Sequence, residues 1–140
     1  MTKTIDILNQ LIEVCQDGSS GYRTASMDIT NSELKTLFNQ YSQQRHIFIT
    51  ELQDQVKFLG DEPQETGSIK STLHRAWIDI KSAFTNGGEK AIINECINGD
   101  KIAIATYEKN LKEELPANIR SLLQTQLDKI RLIYEKLNQL

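Results

Sequence analysis

From Ile5 onward the apolar or small residues Ile5, Leu8, Ile12, Cys15, Ser19, Tyr22, Ser26 and Ile29 recur in alternating steps of three and four. Only a helix, at 3.6 residues per turn, gathers such positions onto one stripe. A stripe sustained for 25 residues is about twice the mean helix of globular proteins, and it must be covered along its length by other helices. That requirement dictates the fold class: all-α, with no segment alternating at the two-residue period of a strand.

The punctuation of the chain predicts five helices, near 4–29, 31–59, 68–85, 89–114 and 117–138. Thr30-Asn31-Ser32-Glu33 has capping-box spacing and opens the second, whose stripe is Leu34, Phe38, Tyr41, Arg45, Phe48, Leu52 and Leu59. Arg45 is the one charged member. The link between these first two helices is so short that they must lie antiparallel. The stretch from Gly60 to Gly67, with Pro63 inside it, reads as a loop. Ser68 can cap a third helix bearing Ile69, Leu73, Ala76, Trp77, Ile80 and Phe84 on one face, and Asn86-Gly87-Gly88 ends it. Ile92, Cys96, Gly99, Ala103, Tyr107 and Leu111 mark the fourth helix, and Leu115-Pro116 separates it from the fifth, with Ile119, Leu122, Leu123, Gln126, Ile130, Ile133 and Leu137.

Gly18-Ser19-Ser20-Gly21 falls inside the first helix, where each glycine costs about 1 kcal/mol relative to alanine. Close approach of a neighbouring helix, a π-bulge or a ligand could each offset that cost. Sliding the chain by 85 residues aligns Tyr22 with Tyr107, Leu34 with Ile119, Lys35 with Arg120, Leu37 with Leu122 and Leu52 with Leu137, without a gap. Helices one and two thus repeat as helices four and five, and the third becomes a crossover between two hairpins.

Composition narrows the function classes. The chain has 140 residues and a net charge of −3, so residues 1–140 are read as a single domain with an ample core. With no basic block and no basic run interleaved with aromatics, nucleic-acid and anionic-membrane surfaces are not indicated. No apolar run reaches the roughly 18 residues of a membrane span and MTKTIDILNQ lacks signal-peptide character, so a cytoplasmic location is expected. Cys15 and Cys96 both fall on apolar stripes and read as buried thiols. Phosphate-loop, HExxH, CxxC and GxSxG motifs are absent.

The stretch GDKIAIATY, Gly99 to Tyr107, resembles the Gly-Glu-x-x-Ala-x-x-x-Tyr helix of rubrerythrins, with Asp100 where those proteins carry a metal-binding Glu. Nearly the whole chain, through LNQLIEVCQDGSSGYRTA, TLHRAWIDIKSAF and GDKIAIATYEKNL followed by LPANIR, more closely resembles an uncharacterised bacterial family of ferritin-like four-helix-bundle proteins, a domain of unknown function. The resemblance implies a ferritin-like antiparallel bundle of two hairpins joined by a crossover helix. It implies no activity.

A ferritin-like di-iron centre needs a Glu from each of two helices and a Glu-x-x-His pair from each of the other two. At the matching positions this chain has Asp100 and Cys15, then Arg45 with Phe48 and Ile130 with Ile133. One carboxylate of six survives, and a guanidinium repels a cation. No cofactor is therefore expected. In the resembled di-iron proteins these positions point into one shared layer, so Arg45 and Asp100 are instead expected to approach each other in a buried polar layer closed by Tyr22 and Tyr107; the alternative is that Arg45 snorkels along its aliphatic stem to the surface and leaves Asp100 solvated. Glu13, Glu51 and Glu95, at stripe edges on three helices, could converge with His74 on a divalent cation, although carboxylates so placed are usually solvated. Two function classes follow: a non-catalytic bundle acting by self-association, as a homo-oligomer, or by binding a protein partner; and a metal-binding or oxidase-type protein with ligands at non-standard positions.

Overall fold

The computed structural model describes residues 2–63 and 80–140. Among them the chain is all-α, with four helices: α1 (Thr2–Asp28), α2 (Ser32–Phe58), α3 (Ile80–Leu111) and α4 (Ala117–Asn138). The expected count of five is corrected to four among the described residues. Most of the predicted third helix, with Trp77, lies outside them, and its last residues from Ile80 belong to α3. The glycine pair still interrupts the helix, because Gly88 takes φ +69° and ψ −153°, a conformation open essentially to glycine alone. The two helical runs abut there with no loop between them, so they form one kinked element.

Residues 29–31 join α1 to α2. Asn31, rather than Thr30, supplies the N-cap: its side chain accepts from the Leu34 amide at 3.1 Å. Pro116 precedes α4 with ψ 145°, an extended backbone that ends the preceding run and starts the next.

Cross-helix contacts give the helix directions. Ser19 meets Ser42 and Ser26 meets Asn39, so α1 and α2 are antiparallel. Gln10 meets Asn110 and Tyr22 meets Asp100, so α3 also runs opposite to α1. Gln55 meets Asn118 and Glu51 meets Gln126, so α4 runs opposite to α2. It follows that α2 and α3 run the same way, and the chain that leaves α2 at one end of the bundle re-enters at the other.

The stripes predict the core well: Leu8, Ile12, Phe38, Leu52, Ile92, Leu123 and Ile130 are all buried, joined by Leu11 and Val56. Burying a side chain of this size contributes about 1.5–3 kcal/mol, and this apolar packing supplies most of the stability of helices whose mean hydropathy is low. Among the described residues no helix is long and apolar enough to cross a membrane.

Candidate functional site

Midway along the bundle the apolar stripes give way to a layer of polar side chains. Arg45 leaves α2 on the same stripe as Phe38 and Phe48, so helix periodicity alone points it inward. It is 0% exposed and the bulkiest fully buried side chain among the described residues. Its Nη1 donates to Asp100 Oδ1 on α3 at 2.8 Å. Tyr22, from α1, donates its hydroxyl to the other oxygen, Asp100 Oδ2, and its ring centroid lies 5.4 Å from the Arg45 guanidinium carbon, within cation–π range.

Gly18 makes room for this arrangement. A Cβ there would stand 2.9 Å from Arg45 Nη1 and 3.4 Å from Arg45 Cγ. The helix-weakening glycine is thus accounted for by close approach of an α2 side chain. Arg45 Nε and Nη2, also buried, find no hydrogen-bond partner among the described residues.

A second set of bonds continues the layer. Cys15 Sγ lies 3.2 Å from the Tyr107 hydroxyl, and that hydroxyl donates to Gln126 Oε1 at 2.7 Å. Because the Tyr107 proton goes to Gln126, the thiol must be the donor to Tyr107. Gln126 Nε2 then donates to Glu51 Oε1 at 3.1 Å, at the half-buried edge of α2. Tyr107 was expected to serve Arg45 or Asp100; its hydroxyl instead pairs with Cys15 and Gln126. The two tyrosine contacts are related by the 85-residue shift: Tyr22 to Asp100 becomes Tyr107 to Cys15, each tyrosine reaching the partner's equivalent position.

The electrostatics follow from burial. Desolvation on its own would lower the Arg45 pKa, but the Asp100 charge, with Tyr22 and the direct hydrogen bond, more than offsets it and raises the value. The guanidinium stays charged. Burial pushes the Cys15 thiol up to about 11, against smaller lowering effects from Tyr107 and Arg45. Cys96 is also raised, by burial and then by Asp100 and Glu95. Burial, followed by Asp100, raises Tyr22, while burial and then Cys15 raise Tyr107. Both thiols are free, buried and protonated near neutral pH, the reverse of an activated nucleophile. Arg45, Asp100, Tyr22, Tyr107 and Cys15 are each 0% exposed. Their bonds tie α1, α2, α3 and α4 to one another at this level.

The cation site considered from sequence gains no geometry. His74 lies outside the described residues, and among those residues no three His, Cys, Asp or Glu side chains are placed to share a metal ion. Glu51 is engaged with Gln126 instead. Gln126 was read from sequence only as a stripe member, and Cys15 as a buried thiol at one of the lone-carboxylate positions of the di-iron pattern. Gln126 carried a visible signal, an amide on an otherwise apolar face, whereas nothing local marks a cysteine as a hydrogen-bond donor.

No curated protein matches the chain. Residues 3–113, most of its length, match the family described as Domain of unknown function (DUF2383). The chain belongs to that family.

Proposed function

We propose that this protein is a ferritin-like helical bundle that acts by association, with a second copy of itself or with a protein partner, and not by catalysis. The observation that carries the reading is the sealed central layer, in which the chain's own guanidinium, paired to Asp100 at 2.8 Å, supplies the positive charge. An arginine never gives up its proton and cannot coordinate a cation. The helix directions and the shift-related tyrosine contacts support two hairpins joined by a crossover, which is the ferritin-like arrangement. Large apolar side chains left at the surface, Phe58 at 82% exposed and Leu132 at 54%, are available for association.

Light scattering coupled to gel filtration, with metal analysis of protein purified without chelator, tests this. A concentration-dependent dimer or larger assembly with no stoichiometric metal is the expected result. Stoichiometric iron, manganese or zinc would replace the reading with the metal-handling one.

A further inference from the structure

We propose that the groove between α1 and α2 binds a small phosphorylated molecule, an activity independent of the association described above. The groove is open to solvent and has a volume of about 540 Å³, within the range of small-molecule sites, roughly 300–1,000 Å³. Ser19 and Arg23 line it from α1, and Asn39, Ser42, Gln43 and His46 from α2. Ser42 Oγ donates to the Ser19 carbonyl at 2.7 Å and lies 3.3 Å from Ser19 Oγ, which holds the two helices together at the floor.

One helical turn beyond Ser19 stands Arg23, and one turn beyond Ser42 stands His46. Because the helices are antiparallel, these two side chains flank the serine pair from opposite ends. Among the described residues, both ionisable groups that line the groove, Arg23 and His46, are bases, although acids outnumber Lys and Arg in the chain by 19 to 16. Among the described residues Arg23 forms no ion pair, so none of their carboxylates engages its five donors. The side-chain amides of Asn39 and Gln43 add neutral donors. A guanidinium fork beside neutral donors, with no carboxylate among the described lining residues, suits a phosphate group. The volume exceeds that of phosphate alone, and Ile47, 58% exposed at the groove wall, offers apolar surface to an organic remainder.

Isothermal titration with ribose 5-phosphate and with ribose tests the proposal. Saturable binding of the phosphorylated sugar and none of ribose is expected, with Arg23→Gln weakening binding about tenfold or more, the loss of one charge-assisted hydrogen bond. His46→Gln weakens it as well, and Arg131→Gln, on the far hairpin, leaves it unchanged. All three residues lie outside the buried core, and circular dichroism verifies that each variant stays folded. Absence of saturable binding, equal affinity for ribose, or an Arg23→Gln variant that binds like wild type overturns it.

Discussion

Breaking the central ion pair from either side separates a buried pair from a solvated one. Asp100→Leu removes the carboxylate bonded to Arg45, whose side chain is 1% exposed and whose Nε and Nη2 have no partner among the described residues. Stranding a buried charge in this way typically costs about 3–5 kcal/mol, a large fraction of the roughly 5–15 kcal/mol by which a domain is stable. Arg45→Met leaves Asp100 with the Tyr22 hydroxyl. Since a carboxylate can take up a proton and a guanidinium cannot lose one, this variant should fall at the lower end, about 3 kcal/mol. The double variant strands neither charge, fills much of the vacated volume with apolar atoms, and should recover to within about 1–2 kcal/mol of wild type. Urea unfolding of all four proteins, at several protein concentrations so that association is accounted for, gives the coupling energy. At least about 2 kcal/mol of coupling is expected. Single losses that add to within about 0.5 kcal/mol would refute the claim that the pair acts as a unit in a sealed interior.

Two further outcomes follow from the same layer. Gly18→Ala should destabilise by about 1–3 kcal/mol through overpacking, because the atom its Cβ meets at 2.9 Å is pinned by Asp100 and cannot swing away. In an Arg45→Ala background the same change should stabilise by about 1 kcal/mol, the helix propensity of alanine over glycine; a loss in both backgrounds would show that the clash lies elsewhere. The Cys15 thiol is raised from 9.0 to about 11, so its protonated form is favoured by folding. That contribution is fully present below pH 9 and is lost as pH rises through about 11. Wild type should therefore lose more stability than Cys15→Ala over that interval, and parallel pH profiles for the two would contradict a buried thiol.

The elements were legible because periodicity reports which face of a helix is covered, and Leu8, Phe38, Ile92 and Leu123 needed no knowledge of their neighbours. Arg45 was legible for the same reason: a charge on an apolar stripe has to be compensated, and the resemblance to rubrerythrins directed attention to Asp100. The partner of Tyr107 was not legible. Its choice of Gln126 depends on α3 meeting α4 at that level, and spacing along one helix carries no such information. Gly18 shows both sides of this limit. Its cost within a helix signals that something fills the space, but a side chain arriving from α2 can be named only in three dimensions. The kink at Gly88 was missed as a merger because a glycine pair gives the same signal whether it opens a loop or bends a continuous run.

The hydrogen bonds from Tyr22 and Tyr107 also count helical turns. Sliding α3 along α1 by one turn, about 5.4 Å, would exchange apolar neighbours such as Leu8, Leu11 and Ile12 for one another at little cost. The same slide would carry Asp100 away from both Arg45 and Tyr22, and Tyr107 away from Cys15 and Gln126, stranding the polar atoms of these buried side chains among apolar neighbours. Long amphipathic helices admit many nearly equivalent alignments, and a polar contact buried among apolar rungs is a known means of selecting one. In this bundle the layer acts as a register key that penalises misaligned hairpins, a role that requires neither a substrate nor an opening to solvent.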